Sequence, residues 1–387
     1  MTPRVPIRPA LLRWACERAG LSLEGAAARF PKLDEWLSGA IQPTLKQVEA
    51  FASATHTPVG YLFLPEPPEV SLPIPDLRTM GSEPLAQPST DLLETIYDCQ
   101  QRQAWYREES RMLGESPLAF VGSLSVAVDP AVAAAQISKT LAFDVDQRRS
   151  ADSWSEALRR FVARAEEIGV LVMTSGIVGS NTHRTLDPQE FRGFALADDL
   201  APVVFVNGAD TKAAQMFTLA HELAHLWLGA SGVSDSVAAE PSGGAIERWC
   251  NRVAAELLVP LTELSGELRG VNEEPASDEQ LVRLARVFKV STLVIIRRLH
   301  DAGILDRDAM WTRYQEELTR LLALKRQQGP GGNFYATHGL RVSRRFARAL
   351  YVSLWEGRAS FSDARALLGI QKTSTFEAFA EALGVGR

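Results

Sequence analysis

Two histidines and a glutamate at helical spacing are the residues of this chain best suited to metal chemistry. They stand as His221-Glu222-x-x-His225. On a helix, residues four apart lie on one face, one turn apart, so both imidazoles can reach the same metal ion. Glu222 lies beside them, where its carboxylate can take a proton from water at the metal. The spacing therefore predicts a zinc site that activates water.

The residues around this motif predict a buried helix. Apolar side chains fill most of the other positions of the segment: Phe217, Leu219, Ala220, Leu223, Ala224, Leu226, Trp227 and Leu228. A helix with so little polar surface packs inside a protein. Buried histidine and glutamate side chains need partners, and a metal ion supplies them. The competing interpretation is a hydrogen-bonded pair of core histidines without a metal.

A third ligand is predicted from the segment that follows. Residues 245–258 carry apolar side chains at helical spacing, and Pro260 marks the end of the pattern. Glu247 would complete a His, His, Glu set with one position left for water. Asn251, one turn later, is placed to hydrogen-bond a ligand. Glu256 is the competing carboxylate, and a solvated helix charge is the other interpretation of Glu247.

Length and composition describe an ordinary globular protein of two or three domains. The chain has 387 residues, of which 46% are hydrophobic and 23% charged, enough for a core and a polar surface. The formal net charge of −6 gives no overall attraction to nucleic acid. The three cysteines are far apart, and the sequence has no signal-peptide pattern and no apolar run long enough to span a bilayer. We expect a cytoplasmic protein without a membrane partner.

Residues 1–64 are predicted to form a compact helical module, with a loop around Trp36-Leu37-Ser38-Gly39 and Gln42-Pro43-Thr44. Gly20-Leu21-Ser22-Leu23-Glu24, Trp36-x-Ser-Gly and Pro43-Thr44-Leu45 resemble the helix-turn-helix of XRE-type repressors. That resemblance implies operator DNA as a partner. Pro31 departs from the pattern because it should break a helix where the recognition helix would begin.

Basic residues of this module, among them Arg29, Lys32 and Lys46, could contact DNA phosphates. Acidic residues nearly balance them in number. A protein-docking or dimerising module is therefore an equal alternative to a DNA-binding one.

The remaining chain divides into four predicted segments. Seven prolines within residues 65–90 indicate an extended linker. The others are a helical connecting region over 91–150, a catalytic domain over 151–309 and a helical C-terminal unit over 310–387. In the catalytic domain, strands predicted at 169–173, 191–196 and 203–206 precede the metal helix. We therefore predict the α+β class, as a mostly helical chain with a small sheet beside that helix.

Two motifs resemble the ImmA/IrrE metallopeptidases over roughly residues 150–265. They are Asn207-Gly208-x-Asp210 followed by Phe217 to His225, and Glu247-x-x-Cys250-Asn251 followed by Ala254 to Pro260. The resemblance implies a zincin-like domain that binds Zn²⁺ through His221, His225 and Glu247, with Glu222 as the catalytic base. It also implies a cytoplasmic peptidase that cuts or inactivates a helix-turn-helix repressor in phage-element or stress-response operons. A repressor-like module joined to the peptidase is similar to fused family members, some of which are suspected antitoxins of a cognate toxin.

Four arginines are the main charged feature of the C-terminal unit: Arg341, Arg344, Arg345 and Arg348. Three of them would share one face of a single helix. Such a cluster could bind phosphate or an acidic partner, and a solvated helix face is an equal alternative. His300 and His338 have no companions at metal-ligand spacing, so no chemistry is assigned to them.

Three functions are compatible with these observations. The first is a zinc-dependent endopeptidase that acts on a protein partner. The second is a DNA-binding regulator or antitoxin in which the zinc site is sensory or structural. The third is an adaptor that binds a partner repressor without cutting it.

Overall fold

The computed structural model describes residues 3–77, 87–234, 244–270, 274–325 and 334–386. The chain divides into two compact units. One contains residues 1–73 and 83–97, and the other contains residues 74–82 and 98–387. The described residues are mostly helical with one small sheet, so the predicted α+β class is confirmed.

The described part of the chain contains eighteen α-helices and four strands. The helices before the sheet are α1 Pro9–Arg18, α2 Leu23–Arg29, α3 Leu33–Leu37, α4 Leu45–Ala54, α5 Thr90–Leu113, α6 Pro130–Leu141, α7 Val145–Arg149 and α8 Trp154–Glu167. The strands are β1 Leu171–Ser175, β2 Gly193–Leu196, β3 Val203–Asn207 and β4 Gly232–Ser234. The other helices are α9 Lys212–Leu228, α10 Ala245–Leu258, α11 Leu261–Leu268, α12 Asp278–Phe288, α13 Thr292–Asp301, α14 Arg307–Lys325, α15 Phe334–Val342, α16 Arg344–Trp355, α17 Phe361–Leu368 and α18 Thr373–Ala382.

The first unit is a helical module with its own core. Ser22 caps α2 by accepting a hydrogen bond from the backbone N–H of Gly25. Thr44 and Gln47 form a capping box at the start of α4. Leu11 and Phe51 are fully buried at the centre of the module.

The prediction of a loop is wrong for Trp36 and Leu37. Trp36 lies in the short helix α3, which begins two residues after Pro31. Its indole is 2% exposed and packs edge-on against Phe51, with ring centroids 6.4 Å apart. Tertiary packing of this aromatic side chain outweighs the turn preference of the Ser38-Gly39 sequence that follows.

The sheet of the second unit has the strand order β1-β3-β2-β4. β1 runs parallel to β3, whereas β2 is antiparallel to both β3 and β4. The predicted first strand is two residues too early because Gly169, with φ +108°, and Val170 still belong to the turn after α8. The register places Ser234 of β4 opposite Gly193 of β2.

The outer side of β4 is paired with the chain's own proline-rich segment. Leu77 N–H donates to the Val233 carbonyl at 2.9 Å, and Val233 N–H donates to the Pro75 carbonyl at 3.0 Å. A Cβ on Gly232 would come within 2.3 Å of the Leu77 side chain, so a larger residue there would require Leu77 to move. The predicted linker therefore includes a short extended stretch that lengthens the sheet by one bridge.

Helix α9 lies at the centre of the larger core. Every residue from Gln215 to Trp227 is buried, and Gly229 ends the helix in the left-handed conformation. Helices α6, α8, α10, α12 and α13 contribute to the same core. Helices α12 and α13, which follow Pro260, are thus packed into the core that contains the metal helix. None of the helices in the described ranges has the length and hydropathy that crossing a bilayer requires.

Three of the four C-terminal arginines lie on one helix, and the fourth lies on the helix before it. Ser343, with φ +67°, separates α15, which carries Arg341, from α16, which carries the other three arginines. Arg345 donates from Nε to the Tyr106 hydroxyl at 2.9 Å, and Arg348 donates from Nε to the Leu383 carbonyl at 3.2 Å. Arg345 and Arg348 therefore have different hydrogen-bond partners.

Candidate metal centre

Helix α9 places the two histidines and the glutamate as their spacing predicted. Thr211 caps the helix by accepting a hydrogen bond from the Ala214 N–H at 3.2 Å. His221, Glu222 and His225 each have no exposed surface. The Nε2 atoms of the two imidazoles are 3.1 Å apart, which is the result of one helical turn between them.

Helix α10 brings Glu247 to both imidazoles. Glu247 lies in the first turn of that helix and is 4% exposed. Its Oε1 lies 2.9 Å from His225 Nε2, and its Oε2 lies 3.3 Å from His221 Nε2. Two imidazole nitrogens and one carboxylate thus converge within the described residues, with all ligand atoms within 4.8 Å of one another.

The donor set and its spacing fit a divalent metal ion. Ligands about 2.0–2.1 Å from a tetrahedral zinc ion are separated by about 3.3 Å, close to the distances between the Nε2 and carboxylate atoms. The Nδ1 atoms of both histidines are buried and have no hydrogen-bond partner among the described residues. Two nitrogens and one carboxylate oxygen are a usual set for zinc, although other divalent ions accept the same ligands.

Electrostatics within the cluster follow from burial and from close opposite charges. Burial opposes ionisation of Glu247, but hydrogen bonds and charge from the two histidines outweigh it and lower its pKa to about 2. Burial also opposes protonation of His221, but the hydrogen bond and charge of Glu247 raise its pKa overall. The pKa of His225 is lowered, mainly by burial. Glu247 is therefore an ionised carboxylate, the form that ligates a metal.

Glu222 has a separate environment formed by the sheet. Ser234 Oγ donates a hydrogen bond to Glu222 Oε1, whereas Oε2 is buried without a partner among the described residues. Burial raises the pKa of Glu222 to about 8. A Cβ on Gly193 would lie 3.0 Å from Oε1 and 2.8 Å from the Phe205 carbonyl, so only glycine leaves room for this carboxylate.

The structure distinguishes Glu247 from its competitor on the same helix. Glu256 forms an ion pair with Arg298 and accepts a hydrogen bond from the Leu261 N–H at 3.2 Å. It is therefore occupied in a structural contact outside the cluster. Asn251 lies one turn after Glu247 on the same helix. Its Oδ1 is buried and has no partner among the described residues.

Two residues of this site were not predicted from the sequence. Ser234 and Gly193 reach Glu222 only because β2 and β4 pair with each other. A serine soon after the metal helix was the only local signal, and spacing gives it no role. Sheet pairing between distant segments supplies the contact.

The three residues predicted to contact DNA are exposed, but they do not form a defined site together in the described part of the chain. Arg29 ends α2, Lys32 precedes α3 and Lys46 lies in the first turn of α4. All three side chains are exposed. Contact with DNA by these residues stays a prediction.

Comparison with known proteins gives two family matches. Residues 165–300 match the peptidase family M78 model, described as the IrrE N-terminal-like domain. Residues 342–382 match a model described as a domain of unknown function, DUF8813. No curated protein and no solved structure matches the chain. The first match contains His221, His225 and Glu247. This match and the convergence of the three side chains together support a metallopeptidase domain of the ImmA/IrrE type in this chain.

Proposed function

We propose that this protein is a zinc-dependent endopeptidase that cuts a protein partner. The single observation that carries the proposal is the convergence of two imidazole nitrogens and the Glu247 carboxylate beside the buried Glu222. An enclosed set of three protein ligands with one neighbouring carboxylate is the arrangement of a catalytic zinc site. A purely structural zinc site would be expected to contain four protein ligands.

Each residue of the cluster has a distinct role in this proposal. His221, His225 and Glu247 hold the ion through their Nε2 atoms and carboxylate. When bound, zinc polarises the scissile carbonyl and makes water more acidic. Asn251, one turn after Glu247, is placed to support one of the ligands by a hydrogen bond.

Glu222 is the proton carrier. The positive charge of a bound metal ion would favour the ionised form of Glu222. Because Ser234 holds Oε1, the partnerless Oε2 is the oxygen left to take a proton from the attacking water. The water oxygen bonds to the peptide carbon, the carbon–nitrogen bond breaks, and Glu222 gives the proton to the leaving amine. No oxidant or co-reactant other than water is needed.

The edge of β4 supports an extended peptide as the form of substrate. Pro75 and Leu77 pair with Val233, one residue from the serine that bonds Glu222. The outer side of β4 thus pairs with an extended segment of the chain itself, and a peptide substrate bound in the same way would take the place of that segment. Strand addition of this kind positions peptides in many binding sites.

The partner proposed for cleavage is a helix-turn-helix repressor, which follows from the ImmA/IrrE type of the domain. Activity would then relieve repression in a stress-response, phage-element or toxin-antitoxin setting. The first unit, with its own core and capped helices, is the part of the chain suited to dock such a partner or its cognate toxin.

A second candidate function is DNA-binding regulation, with zinc serving sensing or structure. It is favoured by the exposure of Arg29, Lys32 and Lys46 within the compact first unit. Exposed cations near helix ends can contact phosphates of operator DNA. The overall charge of −6 does not attract DNA, so binding would depend on such a local patch.

The test of the peptidase is a survey of new protein N-termini in host cells that express the wild type or Glu222→Gln. New termini that require Glu222 would establish hydrolysis and identify the substrate. Glu256→Gln is the matched control, because it alters another glutamate of the same domain outside the cluster. Identical termini in the wild type and Glu222→Gln, under growth and under stress, would contradict the proposal.

A further inference from the structure

A small cavity outside the metal centre lies between α5, the loop after β1, and helices α15 and α17. Its volume is about 60 Å³, and its lining includes Arg102, Arg341, Asp98 and Ser180. A space of this size holds a few waters or one small polyatomic ion. None of the lining residues belongs to the His221, His225 and Glu247 cluster.

Arg102 is a buried cation whose positive charge is only weakly balanced by neighbouring groups. Its side chain is 10% exposed. Its Nε donates to the Leu367 carbonyl at 3.0 Å, while one terminal nitrogen lies 3.8 Å from the Met173 sulfur. The nearest carboxylate contact is with Asp98, at 4.0 Å, which is beyond hydrogen-bond distance. A neutral carbonyl and a distant carboxylate leave much of this charge uncompensated.

Arg341 adds a second cation to the same cavity. Its Nε is buried and has no hydrogen-bond partner among the described residues, and no ion pair of Arg341 is found there. Burial, followed by the positive charge of Arg102, lowers the pKa of Arg341. Two guanidinium groups that line one cavity therefore repel each other.

The remaining titratable groups do not neutralise this pair. His338 is 1% exposed and packs edge-on against Phe379, with ring centroids 4.9 Å apart. Burial and then the charges of Arg341 and Arg102 lower its pKa to about 4, so it is neutral at pH 7. Asp98 is the one carboxylate among the lining residues, against two arginines. The cavity keeps an excess of one positive charge.

We propose that this cavity is a binding site for a small oxyanion of the phosphate type, held between Arg102 and Arg341. An anion there would offset the repulsion between the guanidinium groups, which are suited to bind phosphate by paired hydrogen bonds. The Ser180 hydroxyl, which contacts the Gly369 carbonyl at 3.3 Å, lines the same space. The site is independent of peptide hydrolysis.

The position of the site gives the anion a structural consequence. Arg102 belongs to α5, whereas Leu367 and Gly369 belong to the segment that matches the domain of unknown function. A bound oxyanion would therefore tie the C-terminal helices to α5. Binding should appear as a gain in thermal stability of the full chain.

The test measures thermal unfolding of the full chain in increasing sodium phosphate and in sodium chloride of equal ionic strength. We expect phosphate to raise the Tm of the wild type more than chloride does. Arg341→Gln should weaken the apparent phosphate affinity at least tenfold. Arg344→Gln, a change of the same type three residues later that does not line the cavity, should bind phosphate like the wild type.

Two further readouts keep the test decisive. Without phosphate, Arg341→Gln should unfold at a higher temperature than the wild type, because one of two repelling charges is gone. If Arg341→Gln does not fold, Arg341→Lys should bind phosphate more weakly than the wild type while it keeps the charge. AMP serves as the second probe: competition with phosphate would indicate a phosphate group on a larger ligand, and phosphate binding alone would indicate the free ion.

Equal Tm changes in phosphate and chloride would overturn the proposal. Wild-type phosphate affinity in Arg341→Gln would also overturn it. If only Arg341→Lys folds, wild-type phosphate affinity in that variant would do the same.

Discussion

Ser234 on the edge strand donates a hydrogen bond to one carboxylate oxygen of Glu222, and the other oxygen has no partner among the described residues. The two oxygens of one buried carboxylate therefore have different roles. One is fixed by the sheet, and the other is left to exchange a proton. The metal helix supplies Glu222, but the sheet sets its orientation.

Removal of the Ser234 hydroxyl should reduce hydrolysis while the metal ligands stay in place. We expect Ser234→Ala to lower kcat by about 10- to 100-fold, the range for partners that orient a metal-site group. Zinc stoichiometry should not change, since Ser234 does not contact His221, His225 or Glu247 in this structure. Rates on the substrate identified from the N-termini survey provide the measurement.

Ser231→Ala is the control for this change. Ser231 Oγ accepts a hydrogen bond from the Ala197 N–H at 2.9 Å, so this variant also loses one hydrogen bond of the sheet region. Equal kinetic losses in Ser231→Ala and Ser234→Ala would argue that stability, and not the orientation of Glu222, determines the effect.

Gly193→Ala should destabilise the fold at the metal centre. The added Cβ would lie 2.6 Å from the Thr218 methyl group and 2.8 Å from the Phe205 carbonyl. Overpacking of this kind costs about 1–3 kcal/mol in free energy of unfolding. Chemical denaturation of the full chain would measure the loss.

Gly266→Ala is the matched control, because Gly266 lies within α11 and an added Cβ would meet nothing within 4 Å. It should raise the free energy of unfolding by about 0.5–1 kcal/mol through the helix preference of alanine. A Gly193→Ala protein as stable as Gly266→Ala would show that the sheet can move away from Glu222.

His338 should make stability depend on pH in the mildly acidic range. Burial, followed by the charges of Arg341 and Arg102, lowers its pKa from 6.5 to about 4 in the fold. The unfolded chain therefore binds a proton at this residue between about pH 6.5 and 4, whereas the folded chain does not. Stability is lost as the pH falls through this window, by up to about 3 kcal/mol.

The measurement for His338 is the free energy of unfolding at pH 7 and pH 4.5, in the wild type and in His338→Phe. Phenylalanine keeps an aromatic ring against Phe379 but has no titratable group. The wild type should lose more stability than the variant over this range. Parallel pH profiles would mean that His338 titrates normally in the folded protein.

If the second candidate function is correct, DNA binding should depend on the exposed cations of the first unit. The triple variant Arg29→Gln, Lys32→Gln and Lys46→Gln should weaken binding to DNA from the protein's own promoter. Each lost phosphate contact should reduce the slope of log affinity against log salt by about 0.9, or about 3 in total. Gel shifts at several salt concentrations give this slope.

The control variant for DNA binding lacks three exposed cations that lie outside the first unit. Lys139→Gln, Arg269→Gln and Lys372→Gln remove the same total charge. If both triple variants bind DNA equally, or if the wild type does not bind, the first unit is better explained as a protein-docking module.

Local sequence was sufficient to predict much of the arrangement of the candidate metal ligands. The turn of helix between His221 and His225 is a local property, and so is the apolar stripe that placed Glu247 on one side of α10. The sequence favoured Glu247 over Glu256 as the third ligand, but it could not show where Glu256 makes its contacts. Only the structure shows that Glu256 is paired with Arg298.

Features that depend on distant segments could not be read from local patterns. The bond from Ser234 to Glu222 requires the register of β2 with β4, and the pairing of Pro75 with Val233 requires the approach of a proline-rich segment. Turn-forming residues after Trp36 predicted a loop, but burial of the indole against Phe51 stabilises a short helix. Local propensity is outweighed by packing at that position.

The most direct measurement of the central claim is a zinc titration of the metal-stripped full chain by calorimetry. The structure predicts one ion per chain in the wild type and in Glu256→Gln, with a loss of affinity of more than about 100-fold in Glu247→Gln, beyond the usual effect of groups that only support a ligand. Equal zinc affinity in Glu247→Gln and the wild type would contradict the assignment of Glu247 as the third ligand. Absence of zinc binding by the wild type would contradict the metal centre itself.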